Sequence, residues 1–212
     1  MTVAERLEAI RGRIARAGRD PDQVTIVAVT KGFDAAACRE AVAAGLTILG
    51  ENRVQEALPK IDAVGGAEWH LIGHLQTNKV RLAASRFALI QSVDSIHLVE
   101  ALARVNPGQQ VLLEVNVARE PQKSGVAPEM AAGLIKEASL AVDLRGLMAM
   151  GPTHGDPTPA FVELRRLRDE AQQWLGKSLP ILSMGMSGDY EAAVKSGSTM
   201  VRLGQALFGP RP

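Results

Sequence analysis

The sequence predicts an α/β fold, a single (β/α)₈ TIM barrel preceded by an N-terminal helix, and three observations lead there. About eight short apolar runs alternate with helical stretches along the chain, which implies parallel strands joined by right-handed crossovers. The runs are apolar on both faces, as strands buried on both sides are. Eight is also the number of strands that closes such a barrel. A doubly wound open sheet is the alternative, but no G-x-G-x-x-G follows the first run.

The elements follow in order. "MTVAERLEAIRGRIARAG" places Leu7, Ile10 and Ile14 at helical spacing among charges, the pattern of an amphipathic helix and not of a leader peptide. The strand candidates are "VTIVAVT", "LTILG", "EWHLIG", "FALIQSV", "QQVLLEVNV", "VDLRGLMAM", "LPILSMG" and "STMVRLG". Between them lie the helical stretches "DAAACREAVAAG", "RVQEALPKIDAVG", "SIHLVEALARVN", "PEMAAGLIKEASLA" and "TPAFVELRRLRDEAQQWLG". "THGDPTP" (153–159) is rich in turn formers and leads into a helix starting near Pro159, because proline favours the first helical turn. No low-complexity segment or long linker interrupts the series, so residues 1–212 are expected to form one domain.

Composition narrows the function. Lys and Arg number 24 against 23 Asp and Glu, so no net field points to nucleic acid or an anionic membrane. Aromatic residues are only 3%, too few for a base-stacking platform. No apolar run approaches the roughly 20 residues that span a bilayer. Cys38 is the one cysteine, which rules out an internal disulfide and suggests a reducing compartment; its helical context reads as a packed thiol. The expectation is a soluble, cytoplasmic protein.

In a barrel the chemistry sits at the C-terminal strand ends. Those ends carry Lys31, Gly50-Glu51-Asn52, His70 through Gln76, Asn116, Met148–Pro152, "SMGMSGD" and Arg202-Leu203-Gly204. Taken alone, Lys31 is either a solvated strand terminus or an amine in a partly desolvated pocket that attacks a carbonyl carbon. The carbonyl could belong to a substrate, as in an aldolase, or to pyridoxal 5′-phosphate (PLP). Ser187 and Gly188 precede a helix beginning near Asp189, where a hydroxyl and backbone N–H groups can bind a phosphate, although a serine there could equally cap the helix. Gly204 repeats the arrangement after the last strand. Two such turns after the last two strands coincide with the usual phosphate position in barrels. His70 and His74 are four apart but lack the glutamate of a zinc helix, and "GMSGD" lacks the second glycine of a nucleophile elbow. Trp69 and Trp174 are expected in packing roles.

Several segments carry a resemblance that these fragments share in one order from Val24 to Gly209. "AVTK", "GENRVQE", "WHLIGHLQTNK", "LLEVNV", "KSG", "LRGLMAM", "LSMGMSGDYEAAVKSGS" and "VRLGQALFG" resemble the PLP homeostasis proteins, the YggS/PROSC family. The resemblance implies a barrel related to the N-terminal domain of alanine racemase, with PLP held as an internal aldimine. It implies Lys31 as the Schiff-base residue and Asn52 near the cofactor ring. Ser187, with Met186 beside it, and the Gly204–Gln205 backbone would hold the phosphate, and Arg202 would face the pyridine nitrogen. The family often has Thr or Ser where this chain has Gln205, so a hydroxyl contact to phosphate is lost while the backbone N–H remains.

PLP catalyses by drawing carbanion electrons into a protonated pyridine. Arg202 is a donor only and stays charged, so it would face an unprotonated nitrogen and weaken that electron sink. The chain ends at Pro212, which leaves no room for the racemase's second domain, and its only tyrosine, Tyr190, follows the Ser187 turn. The resulting expectation is a monomeric carrier that buffers PLP or passes it to PLP-dependent apo-enzymes, and not an enzyme. A PLP-dependent amino-acid racemase and a cofactor-free Schiff-base aldolase remain as alternatives.

Overall fold

A capping box starts the first helix, α1 (Val3–Arg16): Thr2 Oγ1 accepts from the Glu5 N–H at 3.2 Å, and Glu5 Oε2 accepts from the Thr2 N–H at 2.9 Å. Its buried face is Val3, Ile10 and Ile14, the apolar spacing legible in the sequence. The structure is a computed structural model and describes residues 1–210; Arg211 and Pro212 of the expected 1–212 domain lie outside the described residues.

The strands are β1 (Thr25–Val29), β2 (Ile48–Glu51), β3 (Glu68–Leu71), β4 (Leu89–Val93), β5 (Gln110–Glu114), β6 (Asp143–Met148), β7 (Ile181–Ser183) and β8 (Met200–Leu203). Each lies inside one of the predicted apolar runs except β2, which runs one residue past "LTILG" to include Glu51. All neighbours pair in parallel, and β8 pairs back onto β1 through Ala28↔Leu203, closing the barrel. The helices are α2 (Ala35–Ala43), α3 (Val54–Ala63), α4 (Val80–Ala84), α5 (Ile96–Val105), α6 (Pro128–Ala141), α7 (Thr158–Leu175), α8 (Tyr190–Lys195) and α9 (Gln205–Phe208). α4 and α9 were not foreseen, because four or five residues are too few to display helical periodicity. α1 packs against α2, α8 and α9.

The strands sort their side chains into two cores. Outward residues such as Ala28, Leu49, Leu71, Ile90 and Leu113 meet the helices, and buried Cys38 is part of that layer. Inward, Val27, Leu89, Leu112, Met148 and Met200 form a smaller cluster. Polar groups share the interior: His70, Gln91, Glu114, Ser183 and Arg202 are all buried. His70, expected just past a strand end, lies within β3 instead. Trp69 is buried as expected, whereas Trp174 on α7 is about half exposed and is not a core residue.

Two bulges interrupt the regular ladder. Between β4 and β5 the register shifts after Ile90, so that two residues, Gln91 and Ser92, separate outward-facing Ile90 and Val93. Between β5 and β6, Val111 faces Leu144 but Leu112 faces Gly146, which inserts Arg145 as an extra residue. Bulges re-aim side chains and favour glycine where backbones come close. At Gly146 an added Cβ would lie 1.8 Å from the Ile181 carbonyl oxygen. Gly146→Ala is therefore expected to lower stability by about 2–4 kcal/mol. Gly133, exposed in α6 with nothing within 4 Å of its Cβ position, is the control. Gly133→Ala should raise stability by about 0.5–1 kcal/mol. Denaturant unfolding of both variants checks the pair.

Candidate active site and its relatives

The segment leading to Lys31 is held by several hydrogen bonds at Thr30. Its N–H donates to the Gly50 carbonyl at 3.0 Å, its hydroxyl to Glu51 Oε1 at 2.6 Å, and its carbonyl accepts from Lys60 Nζ at 2.8 Å. Lys60 Nζ also reaches Glu51 Oε1 at 2.6 Å, and the Glu51 side chain is fully buried. A buried carboxylate needs such a partner, since an isolated charge in the interior is costly. The chain turns immediately after this clamp, so Lys31 leaves β1 from a fixed point. Phe33, two residues on, stacks on Phe208 of α9 with ring centroids 4.8 Å apart, tying the Lys31 turn to the end of β8.

Lys31 opens onto a cavity of about 560 Å³, within the size range of small-ligand sites. Lys31, Asn52, Met186, Ser187, Arg202, Gly204 and Gln205 all line it, so every candidate residue from the sequence comes to one place. Val29, Ile72, Met148 and Met150 supply apolar wall. Because β8 is the neighbour of β1, the Gly204 turn lies beside Lys31.

The two turns form one structure. Ser187 Oγ accepts from the Ala206 N–H at 3.0 Å, and so does not cap α8; Asp189 Oδ1 instead accepts from the Met186 N–H at 2.6 Å. Gly185, at φ 97°, lets this turn lie on α8, because a Cβ there would come 2.6 Å from that of Ala193. Among the described residues, no protein acceptor takes the backbone N–H groups of Ser187, Gly188, Gly204 or Gln205. Unsatisfied N–H groups converging on a cavity suit an anion.

Arg202 forms the floor and is 4% exposed. NH1 donates to the Ser183 carbonyl at 2.9 Å and to Ser183 Oγ at 2.7 Å, and NH2 donates to the Ala149 carbonyl at 2.9 Å. Burial pulls its pKa down to about 10, against the opposing pull of Glu114 and Asp189, and it remains a cation at neutral pH. Glu114 at the end of β5 is pushed up to about 7 by burial; Arg202 works against that rise and Asp94 adds to it. Other strand-end residues do other work. Asn116 Nδ2 donates to the Glu120 carbonyl at 2.9 Å and so folds the following loop. His70 lies inside the barrel, while His74 is mostly exposed beside Asp94. Tyr190 is buried on α8 and does not line the cavity.

Sequence reading missed Lys60, Gln91, Ser183 and Glu114. Glu51 was visible in "GEN", but its partner nine residues on belongs to a helix whose buried cation no periodicity marks.

Fold and site together define a barrel built to hold a small anionic ligand next to a lysine amine, of the type found at the head of alanine racemase. A sequence model described as alanine racemase, N-terminal domain, matches residues 6–212. The chain is 41% identical over 227 residues to the pyridoxal phosphate homeostasis protein of Aquifex aeolicus, covering 100% of this chain and 99% of that one. It is 38% identical to the protein of the same name from Escherichia coli strain K12, covering 99% and 97%. The solved structure of PipY from Synechococcus elongatus with PLP bound superimposes with a TM-score of 0.86 at 36% identity, over 98% of this chain and 100% of that one. Alanine racemase from Corynebacterium glutamicum shares the fold at TM-score 0.80 and 16% identity, with 61% of its length covered. The chain belongs to the pyridoxal phosphate homeostasis protein family.

The pKa of Glu114 has a measurable consequence. Its folded value lies above the ordinary 4.5, so the folded state binds more protons than the unfolded state between about 4.5 and 7. Stability from this group is therefore lost as pH rises through that window, by about 3 kcal/mol at most. Glu114→Gln should match the wild type near pH 4.5 and melt at a higher temperature near pH 8. Thermal unfolding across this range reads the difference directly.

Proposed function

We propose that this protein binds PLP in the Lys31 cavity and holds it reversibly for delivery to PLP-dependent apo-enzymes. One observation carries the reading: the Lys31 amine, a buried guanidinium and four backbone N–H groups that find no protein acceptor among the described residues line the same cavity. PLP has the matching parts, an aldehyde, a phosphate and a ring nitrogen acceptor. The full-length likeness to homeostasis proteins and to a PLP-bound relative supports the same ligand.

In this reading Lys31 Nζ is the amine that bonds the aldehyde carbon. The Ser187 hydroxyl and the N–H groups of Ser187, Gly188, Gly204 and Gln205 hold the phosphate, with Met186 alongside. Gln205 takes part through its backbone, so the absent hydroxyl costs one contact and leaves the cradle in place. Asn52 borders the ring, and Arg202 donates to the ring nitrogen.

When bound, PLP supplies an electron sink for carbanions at an amino-acid α-carbon, strongest when its ring nitrogen is protonated. Arg202 donates and cannot be the acceptor that keeps that nitrogen protonated. Among the described residues lining the cavity, Lys31 and Arg202 are the ionisable ones, and Arg202 is not a proton acceptor, so these residues offer no second acid or base for racemisation. Holding the cofactor fits these groups better than turning over amino acids.

The test is incubation with PLP, borohydride reduction and peptide mapping, followed by chiral analysis of amino acids exposed to the loaded protein. Reduced PLP should appear on the Lys31 peptide and vanish in Lys31→Ala, and L-alanine should stay L. Labelling at another lysine would overturn the site, and rapid racemisation would overturn the carrier role.

A further inference from the structure

Beneath Arg202 a chain of polar side chains crosses the barrel interior, where barrels are ordinarily filled by branched apolar residues. Arg202 NH1 donates to Ser183 Oγ at 2.7 Å, and Ser183 Oγ donates to Gln91 Oε1 at 2.7 Å. Gln91 Nε2 meets His70 Nδ1 at 3.0 Å, and His70 Nε2 meets Glu68 Oε1 at 2.9 Å. Ser183, Gln91 and His70 are buried, while Glu68 is half exposed at a second opening at the far end of the barrel. Each buried polar group in such a chain costs stability unless its bonds are made.

The direction of the chain follows from proton counting. A guanidinium only donates, so it occupies a lone pair of Ser183 Oγ and sends the hydroxyl hydrogen on to Gln91 Oε1. That sets the Gln91 amide with its NH₂ towards Met200 Sδ, at 3.3 Å, and towards His70 Nδ1. Nδ1 must then present its lone pair, and the ring proton sits on Nε2, donating to Glu68. The hydrogen bond from His70 holds the Glu68 carboxyl below its ordinary range, consistent with that polarity. A permanently charged donor at one mouth thus fixes a histidine tautomer near the other.

We propose that Ser183, Gln91 and His70 are positioning residues for Arg202, and that the chain's single direction keeps the guanidinium turned inward with its Nε left for the ligand. Among the described residues, Nε is the guanidinium nitrogen that has no protein acceptor. This rests on the reading that the cavity holds PLP. A second proton on His70 would set Nδ1–H against the Gln91 NH₂. Turning the amide over would relieve that contact but give Ser183 Oγ two donors and strand its own hydrogen. The cost of charging His70 therefore appears at the Arg202 end. Among the described residues around the far opening, which Gln23, Thr25, Gln110 and Thr199 also line, Glu68 is the only other titratable group facing His70.

Nitrogen-resolved NMR of the ¹⁵N-labelled full chain at pH 7, with PLP titrations followed by visible absorbance, tests this. The His70 signals are assigned by their loss in His70→Gln. In the wild type His70 should carry its proton on Nε2 alone. Gln91→Glu keeps the acceptor for Ser183 and gives Nδ1 an acceptor as well. It should protonate both ring nitrogens and leave the PLP Kd within about threefold of wild type. Gln91→Leu cuts the chain and should weaken PLP binding roughly tenfold, one hydrogen bond's worth. Ser183→Ala reads the same loss if that variant does not fold. Arg202→Met removes the directing donor and should let His70 carry its proton on Nδ1 as well. A wild-type Nδ1–H tautomer, or unchanged PLP affinity in both Gln91→Leu and Ser183→Ala, overturns the proposal. A wild type that binds no PLP, but whose His70 tautomer shifts in Arg202→Met, would overturn the PLP reading and support the directed chain.

Discussion

A charged guanidinium inside a barrel has to be answered, and much of the polar architecture follows from how Arg202 is answered. Two backbone carbonyls and one hydroxyl accept from it, the carboxyls of Glu114 and Asp189 act on it from farther off, and among the described residues neither carboxyl forms a close ion pair with it. Its charge therefore stays only partly compensated within the protein. A site of that kind favours a ligand that offers an acceptor to Arg202 and an anion to the adjacent turns. The cavity is polarised before any ligand arrives.

The same economy governs the lysine. Glu51 and Lys60 pair with each other beside Thr30, so that buried carboxylate is already engaged. Barrel closure then sets Lys31 next to the turn after β8, and the Phe33–Phe208 contact holds the two loops together. Amine and anion cradle are positioned by neighbouring strands, without reliance on a long mobile loop. That preorganisation lowers the ordering cost of binding a small ligand.

What could be read in the sequence divides along physical lines. The eight strands were legible because burial on both faces leaves unbroken apolar runs, and the cavity residues because barrel chemistry gathers at strand ends. The short helices α4 and α9 carry too few residues for a period. Gln91 was hidden for a different reason: it sits in an apolar run, and ordinary alternation after inward-facing Leu89 carries it into the barrel, where only closure shows that it meets polar partners. Ser183 and Glu114 look like ordinary strand polar residues until the closed barrel sets them around Arg202. His70 was read as part of a strand-end pair with His74, and only the register of β3 separates the two.

These hidden residues bear on the proposal that the site holds its ligand. Catalysis at an amino-acid α-carbon needs a base to take a proton and a sink to receive the electrons. Of the groups able to move protons, Glu114 and His70 lie behind Arg202, and among the described residues Lys31 alone stands on the cavity wall. In the binding mode proposed above, the group beside the ring nitrogen is Arg202, which stays charged at neutral pH. On that proposal, a barrel arranged in this way uses its polar residues to fix a donor, and a fixed donor would bind the resting cofactor about as well as any activated form. Uniform binding of that sort stabilises a complex without lowering a barrier, which is what a reservoir for a reactive aldehyde requires.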